Sequence, residues 1–368
     1  MKPLLLLTAL TLGLSPALFA RFDTIVQKSG RVEENVRIED ETFSEVTFRT
    51  QRGVTQKLPT ADIESISYSR TSPEFSNGME GIDGPGWEPA AQQLLLASTD
   101  EDLDDFKRAT ALITAANAML LNGYYAPSAG EFDALLNDYR DSRHRPAALL
   151  GLGKALLYQS DFSAADEALK TLQTDTQARG FDQVWSLEAE FFLLLSAEAQ
   201  GKSGLLEKYT ELRMLTQGEH DGIANKCALR IARLLTEQTP PDIKRAVPLL
   251  DEIIDGRLHT DVDIVAGAYN SRGQIAFGLG QAALANKQDD EAKDQFEAAL
   301  LDFLRVQVSY EQVRAEQPFA LYYASQAFNL LGSLGAGGAD ADLHSRRLRA
   351  TLISNFPDTE WGRKASNE

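Results

Sequence analysis

LGQAALANKQDDEAKDQFEAAL, residues Leu279–Leu300, is the stretch that decides the fold. Leu279-Gly280 puts a small residue where two helices must touch, and Ala283 keeps the same stripe small. Lys287-Gln288-Asp289-Asp290 is a polar turn. Beyond it Ala292, Phe296 and Ala299 recur at steps of four and three, which sets them on one face of a second helix. The stretch reads as a helical hairpin with more apolar surface than it can bury by itself.

The second half of that pattern is a small residue, a large apolar one four later and an apolar one three after that. It recurs as Ser128-Phe132-Leu135, Ala165-Leu169-Leu172 and Ala246-Leu250-Ile253. Leu205-Tyr209-Leu212 and Ser345-Arg349-Leu352 are weaker copies. Leu152-Gly153 before Ala165 repeats the Leu-Gly of the first hairpin. The order Leu-Gly, then Ala-x3-Phe, resembles the tetratricopeptide repeat. The sets begin at 128, 165, 205, 246, 292 and 345, spaced by 37, 40, 41, 46 and 53 residues. The family period is about 34, so the connecting loops carry insertions that grow toward the C-terminus, the largest at Gly332–Gly338. The resemblance covers roughly residues 101–365. Phe132-x2-Leu135-Leu136-x2-Tyr139-x2-Ser142 and Leu352-Ile353-x2-Phe356-Pro357-x-Thr359 are similar to exported bacterial members of the family. The expected fold is mainly α: a tetratricopeptide-like α-solenoid of about six helical hairpins over 91–368, each burying its faces against its neighbours.

The resemblance implies a ligand groove along the concave surface made by the first helices, and projects Asn117, Lys154, Tyr158, Gln274, Phe277 and Gln281 onto it. The same positions also read as a solvated face or as ordinary packing between repeats. The family's clamp for C-terminal carboxylates uses several Lys, Arg and Asn residues on adjacent repeats. Only Asn117 and Lys154 answer to it here, and Ile113 and Leu150 stand where basic residues would help. A mixed apolar and polar groove for an extended peptide or a helix is expected instead.

Residues 22–68 have another texture. Phe22–Val26, Val32–Ile38, Val46–Phe48 and Ile63–Tyr68 are short β-branched or aromatic runs, and Thr55–Leu58 offers a fifth. Lys28–Arg31, Glu39–Glu41 and Gln51–Gly53 read as the turns between them. Such spacing predicts a small antiparallel barrel or meander and loosely resembles Sm-like and SH3-like barrels, here as a module for docking or self-association. Residues 69–90, with Pro73, Gly78, Gly81, Gly84, Pro85, Gly86 and Pro89, read as a flexible linker.

Ahead of these, Lys2 and the apolar run Leu4–Leu14 have the make-up of a signal peptide over residues 1–20, cleaved after Ala17 or Ala20. The run is too short to span a bilayer. No cysteine follows it, so no lipid anchor is expected, and no later segment is apolar enough to be transmembrane. The expected product is exported, periplasmic or secreted. The 54 acidic against 36 basic residues, a formal charge of −18, argue against nucleic acid or an anionic membrane as partner.

Signals for chemistry are sparse. Asp100, Asp102 and Asp104 have calcium-loop spacing, but Asp105 replaces the loop glycine and Ala111 the final Glu. His259-Thr-Asp261-Val-Asp263 is the nearest thing to a ligand cluster, and Asp is equally a helix cap there. Gly201-Lys202-Ser203 lacks the first glycine of a phosphate loop. Gly151-x-Gly153 lacks the third glycine of a dinucleotide fingerprint. Cys227 lies on an apolar helix stripe and reads as a buried thiol. No metal, cofactor or catalytic residue is expected. The sequence therefore points to a non-enzymatic scaffold for protein partners in the cell envelope. The alternatives are an envelope carbohydrate- or peptidoglycan-processing enzyme and a structural subunit of an envelope complex.

Overall fold

A computed structural model describes residues 22–84, 86–257, 260–336, 338 and 340–367. The expected signal peptide and His259 lie outside the described residues. The chain divides between Ser196 and Ala197 into two compact units.

The first unit opens with strands β1 (Asp23–Gln27), β2 (Val32–Glu41), β3 (Glu45–Arg49), β4 (Thr55–Pro59) and β5 (Ile63–Ser67). They form one antiparallel sheet in the order β4-β3-β2-β1-β5. Alternation in β1 and β3 puts Ile25, Val46 and Phe48 inside with Val36, Ile38 and Ile63. The fifth strand expected at Thr55–Leu58 is present. Glu39–Glu41, read as a turn, instead continues β2, because an irregularity between Ile38 and Asp40 bends the strand and carries it on.

Fifteen helices follow among the described residues. In the first unit these are α1 (Pro73–Gly81), α2 (Trp87–Ser98), α3 (Asp105–Leu121), α4 (Tyr125–Asp138), α5 (Arg145–Tyr158), α6 (Phe162–Arg179) and most of α7 (Gln183–Ala199). In the second they are α8 (Leu205–Thr216), α9 (Asp221–Glu237), α10 (Ile243–Asp255), α11 (Val262–Ala285), α12 (Asp289–Ser309), α13 (Gln317–Ser333), α14 (Ala341–Asn355) and α15 (Glu360–Asn367). In the first unit α1 to α6 each pack on the next, in the second α8 to α15 do so, and α3 also meets α5, α9 meets α11, and α11 meets α13. That pattern of neighbour and next-but-one contact is the stacking of helical hairpins.

The six expected triads fall on α4, α6, α8, α10, α12 and α14. Every member is buried except Arg349, which is half-buried and donates from Nε to the Ala365 carbonyl at 2.8 Å. Phe132, Leu169, Tyr209, Leu250 and Phe296 are wholly inaccessible, and each such side chain contributes about 1.5–3 kcal/mol. Three of them sit on bare glycines of a neighbouring helix, Leu169 and Phe296 on the helix before their own and Phe132 on the helix after. A Cβ on Gly151 would lie 2.3 Å from Phe132, one on Gly153 2.6 Å from Leu169, and one on Gly280 2.7 Å from Phe296. Ser128 keeps its buried hydroxyl satisfied by donating to the Ala116 carbonyl at 2.8 Å.

The flexible linker expected at 69–90 requires correction, because it holds α1 and the start of α2. Pro73 stands in the first turn, where its missing N–H costs nothing, and the Ser72 hydroxyl accepts from Phe75 N at 3.2 Å. Phe75 is buried, and Gly78 leaves room for Leu94, whose Cγ would lie 2.6 Å from an added Cβ.

The β module docks on the helices of its own unit. Phe43 N donates to the Asp141 carbonyl at 2.9 Å, and the Phe43 ring meets Phe181 edge-on at 5.4 Å. Beneath, the Arg143 guanidinium lies 2.6 Å from the almost fully buried Glu41 carboxylate, without the alignment of a hydrogen bond. His144 Nε2 lies 2.8 Å from Thr110 Oγ1, which lies 3.2 Å from Tyr68 Oη. Burial, with the Arg143 cation adding to it, holds the imidazole well below its usual range, so it is neutral in the folded chain. Glu41 moves the other way: burial raises its carboxyl, while Arg143 and Tyr68 pull it back.

Two outcomes are expected. Gly280→Ala gains about 0.5–1 kcal/mol of helix propensity but forces the Phe296 ring aside at a cost of about 1–3 kcal/mol, and so lowers the melting temperature. Gly278→Ala, where a Cβ meets open space, raises it. Calorimetry in which both variants rise alike would contradict the packing described. For His144, an unfolded imidazole takes up a proton below about pH 6.5 and the buried one does not. Stability is therefore held above that pH and lost as pH falls. Between pH 7.5 and 5.5 the wild type is expected to lose more melting temperature than His144→Gln. Glu41, whose own protonation favours the folded state, is common to both chains and cancels. Equal losses would remove His144 from the account.

Candidate functional site

In the second unit α9, α11 and α13 lie side by side, and α15 folds back against α13. Between them is a cleft of about 760 Å³, within the usual range for ligand sites of about 300–1,000 Å³. Residues 230–237 of α9 form one wall, α11 the floor, and α13 with Trp361 of α15 the opposite wall.

The floor follows from helical periodicity. Gln274, Gly278 and Gln281 share one face of α11, and all three are exposed. The opposite wall is aromatic. Phe319 and Tyr323 are one turn apart on α13 with centroids 4.6 Å apart, and Trp361 packs edge-on against Phe319 at 5.1 Å. Burial first, then the Glu360 carboxylate, raises the Tyr323 phenol above its usual value, so it stays protonated.

Charge in the cleft is largely neutralised from within. Arg233 donates from one terminal nitrogen to Glu316 Oε1 at 3.2 Å and from Nε to Ser271 Oγ at 3.1 Å. Asn270 Nδ2 donates to Glu316 Oε2 at 2.8 Å and to its carbonyl at 3.0 Å, fixing the start of α13. Gly267 makes room for this group, since a Cβ there would lie 2.9 Å from Leu229 and 3.1 Å from the Arg233 guanidinium. Arg230 pairs with Glu198, whose Oε2 also accepts from Tyr209 Oη at 2.9 Å.

Of the six expected groove residues, Gln274, Phe277 and Gln281 border this cleft together. Phe277 does so only marginally. It is buried, edge-on to Phe296 at 5.4 Å and to Tyr323 at 5.3 Å, so its ring is mainly core. The other three belong to the first unit. Asn117 lines a smaller cleft of about 340 Å³ with Trp87 and Leu121. The Lys154 ammonium sits 4.6 Å over the Phe192 ring, and Tyr158 lies 5.0 Å from Tyr125. Cys227 is wholly buried on α9, as its apolar stripe implies.

Sequence reading missed Arg230, Arg233 and Glu237, although steps of three and four along α9 set them on one face. It also missed Phe319 and Tyr323, whose spacing of four was visible. Nothing local marks Trp361, which reaches the cleft only because α15 turns back.

No protein-family model matches the sequence, and no curated protein matches it. Solved structures are similar to the chain, two of them structures of one protein. The apo form of the quorum sensor NprR from B. thuringiensis aligns at 12% identity over 80% of this chain and 79% of that one, with a TM-score of 0.45. NprR in complex with its cognate peptide NprX aligns at 12% identity over 79% and 80%, with a TM-score of 0.44. At that level the likeness adds nothing to the architecture given by the packing.

Because Phe277 is core and Gln274 is exposed, their replacements should separate. Phe277→Ala is expected to cost about 3–5 kcal/mol and Gln274→Ala less than about 0.5 kcal/mol, measured by denaturant unfolding. Similar losses for both would mean that α11 is turned otherwise.

Proposed function

We propose that the protein is a non-enzymatic scaffold that binds a protein partner, through an extended peptide or a helix, in the cleft of α9, α11 and α13. The observation that carries this reading is the floor of α11. Two exposed glutamine amides flank a bare glycine there and face an aromatic wall across open space. Polar groups that fix orientation beside apolar surface that supplies affinity are the make-up of a recognition groove. The place of action proposed is the cell envelope, periplasmic or extracellular. Its support is the Lys2 and Leu4–Leu14 pattern at the N-terminus. The docked β module belongs to the scaffold as an N-terminal element sealing the first hairpins.

The test is a crosslinked pull-down from envelope extract with the mature protein and with a Gln274→Ala, Gln281→Ala double variant, which leaves the core intact. The expected outcome is one partner held by the wild type and reduced severalfold by the double variant. A partner retained equally by both would move the site elsewhere. Turnover of a cell-wall substrate abolished by a single Glu or Asp replacement would replace the scaffold reading with an enzymatic one.

A further inference from the structure

The polar groups bordering the cleft fall into two kinds. Arg230 and Arg233 are committed to Glu198 and Glu316. Their charge is balanced inside the protein, which leaves no uncompensated cation for a carboxylate or phosphate ligand. Glu237, at the end of α9, is exposed and has no ion pair among the described residues. The one uncompensated charge on the lining is therefore negative.

Gln274 and Gln281 are also uncommitted among the described residues. Each amide offers two donors and an acceptor. They stand two turns apart on one helix face, about 10 Å along the axis, with Gly278 open between them. Three residues of extended chain cover about 10 Å, and each non-proline residue presents one N–H and one C=O. Paired donors and acceptors at that interval match a peptide main chain. A compact anion would need donors alone, and a purely apolar ligand would leave the amides unused.

We infer, building on the peptide-binding reading above, that the cleft takes an extended basic peptide segment. Its main chain lies on Gln274 and Gln281, a large apolar side chain packs against Phe319 and Trp361, and a Lys or Arg lies beside Glu237. The formal charge of −18 on the whole chain attracts a partner of the opposite, positive sign.

The experiment uses the full chain and an array of short acetylated, amidated peptides on a Gly-Ser background. Each peptide carries one Phe or Leu with one Lys or one Asp at every spacing, and binding is read by fluorescence anisotropy at low salt. The expected result is selective binding of Lys-containing peptides, with Gln274→Ala and Gln281→Ala each weakening it about two- to tenfold. Glu237→Lys should weaken Lys peptides about two- to fivefold and strengthen Asp peptides. All three replacements are at exposed positions, and circular dichroism checks that the variants fold. Asp or uncharged peptides binding as well as Lys peptides would overturn the basic ligand while leaving peptide recognition standing. Binding of no peptide in the array would overturn both.

Discussion

The fold depends on large side chains of the second helices reaching bare backbone on a neighbouring first helix. Where the first helix carries glycine, as at Gly151, Gly153 and Gly280, the ring or isobutyl group sits where a Cβ would be. Close approach buries the whole side chain and removes the gap that would otherwise forfeit dispersion contacts. In the second unit this fixes the first helices at a spacing that lets α11 meet both α9 and α13. The cleft is a consequence. Its floor is the face of α11 that the seating of Phe296 and Phe303, on Gly280 and Gly273, turns away from α12.

The same constraint explains how charge is spent in the cleft. Gly267 admits the Arg233 guanidinium and the Glu316 carboxylate side by side, and Asn270 completes the set from α11. Such a network joins three helices and leaves little net field, since each cation has its counter-ion in place. Recognition is then left to amides, an exposed carboxylate and aromatic surface. In the first unit Lys154 and Tyr158 instead meet aromatic rings, Phe192 and Tyr125.

Much of the architecture was legible because the repeat is a local signal. The six triads needed only helical periodicity, and Leu279-Gly280 with Phe296 named a contact made within one hairpin. What failed was whatever depends on the neighbours of a residue in space. Pro73, Gly78 and Gly81 looked like chain breakers, yet Pro73 begins α1 and Gly78 is a seat for Leu94. Phe277 was expected on the groove surface, whereas its ring is buried against Phe296 of α12 and Tyr323 of α13. The pairs Arg233–Glu316 and Arg143–Glu41 join residues far apart in sequence, and no spacing rule reaches them. Trp361 was invisible for the same reason, its position being set by the return of α15.

The central claim, that the face of α11 between Gln274 and Gln281 receives a partner, is tested most directly by site-specific photo-crosslinking in the intact cell. A photoreactive residue is placed at Gln274, at Gln281 and, as a control, at the exposed outer-face position Leu301. The account predicts a discrete protein adduct at both glutamine positions and none at Leu301. Adducts of equal yield at all three, or at Leu301 alone, would contradict it.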